Sequence, residues 1–117
     1  MKSGTKNNCE QGNIVLVPFP FTDLSGKKTR PVLIISNNKY NGSSKDFVCC
    51  GITSNVEDAN YSLFIDTQDL CFGFLAQPSR IKVDRIFTLE QSLIIKVIGK
   101  VNMEIFKKVK DELFKLF

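Results

Sequence analysis

The residues best suited to chemistry in this chain crowd around one short connection, PFPFTDLSGKKTRPVLIIS, Pro18 to Ser36. Lys27, Lys28 and Arg30 stand together in it, and Pro31 follows the arginine. A residue before proline is pushed to extended backbone, so Arg30 is expected at a strand entrance, aimed by a stiff element. A guanidinium held there offers a planar fork of donors that suits a phosphate, and the two lysines extend the positive field. Between Leu24 and Lys45 there are five cations and no acid. From the residues alone, Arg30 is equally well read as an ion-pair partner of Asp23 or Asp84. Thr53 is the second candidate. It closes the run CCGIT, just before Ser54 and Asn55, and a hydroxyl at a strand end can donate to a phosphate oxygen, although Thr is also an ordinary strand residue.

Other chemistries fall away. The sequence contains no histidine, which excludes Ser-His-Asp and Cys-His arrangements. It has neither a GxxxxGK[ST] nor a GxGxxG loop, and no HExxH. The four cysteines, Cys9, Cys49, Cys50 and Cys71, form no CxxC pair and have no histidine to complete a zinc site. No metal site and no cofactor are implied. Cys49 and Cys50 are neighbours in a strand-like run, so they should face opposite ways and act as small buried hydrophobes.

The elements that must hold these residues are short strands. At 117 residues, 43% hydrophobic and 24% charged, the chain suits one domain with one compact core. Residues 1–11 read as a flexible polar lead-in and 12–117 as a single domain. IVLVPFPF is strand-like, but Pro18 and Pro20 argue for an edge position or a bend. DLSGKK is a turn, PVLIIS a short buried strand and NNKYNGSSKD a loop. FVCCGITS is a strand with Gly51 at a bulge or close approach. In YSLFID, Tyr61, Leu63 and Ile65 share one face. Gly73 to Ala76 is a short apolar piece. In SRIKVDRIF, Ile81, Val83 and Arg85 share a side, with Lys82 and Asp84 opposite. SLIIKVIGKV is β-branched, ending near Gly99. The period then changes: Phe106, Val109, Leu113 and Leu116 or Phe117 mark one face of a C-terminal helix. Asn102 is its expected N-cap and Glu104 lies in its first turn. Six or seven short strands and one helix predict a mainly β fold, a small barrel or sandwich.

The net charge of +4, from sixteen cations against twelve acids, is compatible with a nucleic-acid partner without requiring one. The polar N-terminus lacks the apolar core of a signal peptide and no run reaches a membrane span. The expectation is a soluble protein of the reducing cytoplasm, with no membrane partner.

GNIVLVPFPFTDLSGKKTRPVLIIS, then CCGITS, then SRIKVDRIFTLEQSLIIKVIGKV, in that order, resembles the PemK/MazF family of toxin ribonucleases. The likeness runs from about Gly12 to the C-terminal helix. Its specific part is the first block: a glycine opening, a strand, a basic loop, Arg-Pro and an apolar strand. The resemblance implies an SH3-like barrel with a C-terminal helix, forming a homodimer. It implies a type II toxin–antitoxin toxin, a metal-independent endoribonuclease that cuts single-stranded RNA such as mRNA at short sequences and is blocked by a cognate antitoxin. Carried over by motif, Arg30 and Thr53 are the catalytic pair. Lys27 and Lys28 border the RNA groove, and Ser54, Ser79 and Lys82 are further RNA contacts.

RNA supplies its own nucleophile, the 2′-OH. The protein must align it, stabilise the charge of the phosphorane and let two protons move. A guanidinium holds its proton at neutral pH, so Arg30 is read as a stabiliser of the phosphorane with acid work open to it; the base is unassigned, and Asp84, Asp23 or solvent could help to move the protons. The family opening is commonly Gly-Asp-[Ile/Val]; here it is Gly12-Asn13-Ile14, which keeps a hydrogen bond but loses a charge expected to orient loops near the site. Two other readings stand beside the nuclease: a gyrase poison on the related CcdB-like barrel, and a catalytically weak RNA-binding homologue.

Overall fold

The computed structural model describes residues 8–18 and 29–117. The order of elements is β1 (Asn13–Pro18), β2 (Thr29–Ile34), α1 (Asn38–Ser43), β3 (Asp46–Thr53), β4 (Ser62–Ile65), β5 (Leu70–Gly73), β6 (Ser79–Glu90), β7 (Lys96–Val101) and α2 (Met103–Lys115). The seven strands make one curled antiparallel sheet, a half-barrel, in the order β4-β6-β3-β2-β1-β7-β5. This is the mainly β barrel with a C-terminal helix that the sequence predicts. Among the described residues no helix is long and apolar enough to cross a membrane.

The continuous apolar runs are explained by burial on both faces. Ile14, Leu33, Cys50, Ile52, Ile81 and Val83 pack on one side, with Ile105 and Val109 of α2. Val15, Val17, Val32, Ile34, Phe47 and Cys49 pack on the other. Consecutive strand residues point to opposite faces, so Cys49 and Cys50 enter different cores, as expected. Burial pushes the Cys9 thiol up to about 11 and the Cys49 thiol up to about 12, Cys49 also feeling Cys9. Cys50 is raised too, mainly by burial.

Several local expectations are corrected. β1 is an interior strand between β2 and β7, not an edge. Pro18 is its last residue and pairs with Thr29, where a missing N–H interrupts no interior rung; Pro20 lies outside the described residues. The expected loop at 37–46 contains α1, fixed by side chains rather than by propensity. Asn37 Oδ1 accepts from Tyr40 N–H at 2.8 Å, and the buried Asn41 donates Nδ2 to Ser36 O at 3.0 Å. In β4 the buried residues are Ser62 and Ile65, while Tyr61 is exposed with φ 55°, so the simple alternation fails there. A strand not foreseen, β5, covers Leu70–Gly73 and ends where the apolar piece Gly73 to Ala76 begins. Gly73 has φ 94°, and a Cβ there would land inside the backbone of Ile98 and Gly99, so β5 and β7 approach closely only because both residues are glycine.

α2 begins as expected. Asn102 Oδ1 accepts from Ile105 N–H at 2.8 Å and Glu104 lies in the first turn. Its buried stripe is Ile105 and Val109, with Phe106 and Leu113 partly buried against the same core. Ahead of β1, Cys9 is buried and Glu10 pairs with Lys100 at 3.0 Å.

Candidate active site

β2 and β3 bring the two candidate residues together. Their register runs Ile34↔Cys49, Leu33↔Cys50 and Val32↔Gly51. Counting on by the same register, Arg30 falls opposite Thr53. The registered pairs stop at Val32, and the next residue, Pro31, has no N–H to donate. The strand ends beyond it wall a cleft of about 200 Å3, lined by Arg30, Pro31, Thr53, Lys82, Arg85 and Phe87 among others. Residues 23 apart in sequence thus share one small space. Arg30 is exposed at the start of β2 and Thr53 is half-buried at the end of β3. Thr53 Oγ1 accepts from Asn55 N–H at 3.1 Å, which uses a lone pair and leaves the O–H proton to donate elsewhere.

β6 supplies the rest. Cys50 pairs with Ile86, yet Gly51 pairs with Lys82. One step along β3 therefore spans four along β6, and Val83, Asp84 and Arg85 are extra. This wide bulge keeps Val83 buried, its N–H donating to Tyr61 O at 2.9 Å, and turns Arg85 out into the cleft. The alternation that groups Arg85 with Ile81 and Val83 is thereby overturned. A Cβ on Gly51 would stand 3.7 Å from Arg85 Cβ and 3.8 Å from the Phe87 ring, so the stem of Arg85 lies over the glycine.

Three cations line the central cleft, and no acid is among the described residues lining it. Concentrated positive charge between apolar walls raises the local concentration of anions. Two further clefts adjoin it. One, of about 330 Å3, shares Thr53, Lys82 and Arg85 and adds Asn55, Glu57, Asp58 and Arg80. The other, of about 260 Å3, shares Arg30 and is lined by Ser54, Gln77 and Ser79 beside Leu75, Ala76 and Ile98.

Arg30, Thr53 and Lys82 therefore meet in the central cleft, while Ser54 and Ser79 line its more apolar neighbour. Ser79 is only 6% exposed and donates to Gln77 O at 3.1 Å. Lys27 and Lys28, like Asp23, lie outside the described residues. Asp84 is not among the cleft-lining residues. Asn13 is outside all three clefts. It is buried at the start of β1, where it pairs with Lys100 and donates Nδ2 to Asn8 O at 3.0 Å, so the departure from the family's acid falls on the N-terminal packing. Arg80 and Arg85 are cleft residues that the sequence reading misses; the run of cations at 80, 82 and 85 is their one visible sign.

Residues 10–117 match the model of the PemK-like, MazF-like toxins of type II toxin–antitoxin systems. The chain belongs to this family. Among curated proteins none matches it. Solved structures agree on the PemK/MazF-like fold. An endoribonuclease from Mycobacterial species is 22% identical, with a TM-score of 0.71 over 93% of this chain and 90% of the other. An endoribonuclease in complex with its cognate antitoxin, also from Mycobacterial species, is 23% identical, with a TM-score of 0.71 over 91% of each chain. MazE–MazF from Deinococcus radiodurans is 18% identical, with a TM-score of 0.69 over 92% of each chain.

Proposed function

We propose that this PemK/MazF-like toxin is a sequence-specific endoribonuclease that cuts single-stranded RNA without a metal ion, and that Arg30 and Thr53 are its catalytic residues. The observation carrying the proposal is their convergence, from separate strands, on one cleft whose described lining holds three cations and no acid. A phosphate bound there would develop extra negative charge in the transition state, where preorganised donors act most strongly.

In this reading the substrate's 2′-oxygen attacks the adjacent phosphorus in line with the 5′-oxygen. The O2′–P bond forms as the P–O5′ bond breaks, leaving a 2′,3′-cyclic phosphate and a 5′-hydroxyl. The 2′-OH proton passes to solvent, and water protonates the departing 5′-oxygen. Arg30 offers two parallel N–H donors to the non-bridging oxygens, and the Thr53 hydroxyl offers another. Lys82 and, from the basic loop, Lys27 and Lys28 draw the strand in; Ser54 and Ser79 face its neighbouring nucleotide.

The same reading gives the protein a cognate antitoxin as partner, a homodimer as working form and the cytoplasm as its location. The mycobacterial endoribonuclease bound to its antitoxin supports the first of these.

The test is incubation of the purified protein with a long single-stranded RNA in EDTA, beside Arg30→Ala. Discrete cuts ending in cyclic phosphate, lost in the variant, are expected. A folded, antitoxin-free protein that leaves the RNA intact overturns the reading. Cuts that survive Arg30→Ala overturn the site assignment.

A further inference from the structure

Thr53, Lys82 and Arg85 line both the central cleft and the second cleft beside it. A substrate strand whose scissile phosphate sits against Arg30 and Thr53 meets this shared wall next. The second cleft adds Arg80, whose side chain is only 12% exposed. Its Nη1 donates to Ser62 Oγ at 3.0 Å, while its buried Nε has no hydrogen-bond partner among the described residues. Nη1 also lies 3.6 Å from the carboxylate of Asp58, whose side chain is 97% exposed. A carboxylate so fully in water is a weak counter-ion, and a phosphate, with more acceptor oxygens, can replace it at a guanidinium.

We propose that this second cleft seats the phosphodiester next to the scissile one, gripped by Arg85 and Arg80, and that Asp58 holds the place of that phosphate until RNA arrives. The proposal rests on the endoribonuclease reading above. It explains why β6 departs from its ladder by three residues: the bulge spends Val83 on the core and frees Arg85 to stand at the junction of the clefts. In-line attack needs the backbone fixed on both sides of the reacting phosphorus, and phosphate contacts fix register without reading sequence. Arg85 is thus a positioning residue that grips the strand whatever its bases.

The test measures binding of a mixed-sequence single-stranded RNA that is 2′-O-methylated, so that it lacks the attacking hydroxyl and stays intact. Affinity is followed from about 50 to about 200 mM salt, the range in which phosphate contacts show their counterion release. Arg85→Gln is expected to reduce the slope of log K against log salt by ~0.7, one phosphate contact on a single strand. Between those two salts that is a ~2.6-fold smaller loss of affinity. Arg85→Lys restores the slope. Asp58→Asn moves the other way and tightens binding several-fold, a sign that a merely structural role for the loop would not give. Thermal melts confirm that each variant is folded. A wild type that cuts natural RNA while Arg85→Gln and Asp58→Asn bind as it does overturns the second seat alone. A wild type that neither binds the methylated RNA nor cuts the natural one overturns the endoribonuclease reading and this proposal with it.

Discussion

Replacing Thr53 with valine tests the proposed role of its hydroxyl apart from folding. Valine keeps the β-branch and the strand preference at the end of β3 and removes only the hydroxyl. In the folded chain that hydroxyl accepts one hydrogen bond, from Asn55 N–H at 3.1 Å. Asn55 is exposed, so its N–H turns to water, and the loss is that of an ordinary hydrogen bond, ~0.5–1.5 kcal/mol. Against a domain stability of at least ~5 kcal/mol, more than ~99% of the variant stays folded. The catalytic loss is far larger if Thr53 donates to the phosphorane: one such donor is worth ~100- to 1,000-fold, or ~2.7–4 kcal/mol. The assay is single-turnover cleavage at saturating protein in EDTA, run beside thermal melts, with Thr53→Ser as the variant that keeps the hydroxyl. The expected result is a fall of at least ~100-fold for valine and recovery of most of the rate by serine. A valine variant that cuts nearly as fast as wild type, with its melt unchanged, refutes the role of Thr53.

Other consequences test the fold. Gly73→Ala should cost more than ~2 kcal/mol, the left-handed penalty of a side chain plus its collision with the backbone of β7; denaturant melts within ~0.5 kcal/mol of wild type would contradict the close approach. Because burial raises the Cys9 and Cys49 thiols to about 11 and about 12, the folded chain keeps protons that the unfolded chain releases near pH ~8.5. Stability is therefore fully present below that pH and falls as pH rises through the raised values, by ~1.4 kcal/mol per pH unit for each thiol. Urea melts that stay flat from neutral pH to about pH 10, well above the unfolded thiol value, would show the thiols to be solvated. By the same logic a thiol reagent applied to the native protein should label Cys71, the exposed cysteine, well before the three buried ones.

Much of the site is visible in the sequence because it depends on local constraints. Pro31 extends the backbone of Arg30 whatever surrounds it, and the Asn102 cap follows from side-chain chemistry at one helix start. The apolar runs mark strands whose two faces are both covered. For the same reason the twin cysteines announce their separation into two cores: period two is a property of any strand. The proline that ends β1 misleads because sequence shows its presence and not its position in the ladder. Pro18 sits at a terminus, where its missing N–H interrupts no interior rung.

What the tertiary structure alone decides is registration. Arg30 opposite Thr53 is set by the β2–β3 pairing, which depends on core residues elsewhere along both strands and not on either candidate. The three-residue bulge in β6 is less visible still. Apolar–polar alternation runs through Ile81 and Val83 to Asp84 and fails at the charged Arg85, but that failure does not say that three residues leave the ladder there. Val83 is drawn into the core and held by Tyr61 O, and the residues beyond it must detour before pairing resumes at Ile86. Sequence patterns report the faces of one strand at a time. Where charges from several strands meet depends on how those strands slide past one another, and that is fixed only when the whole sheet closes on its cores.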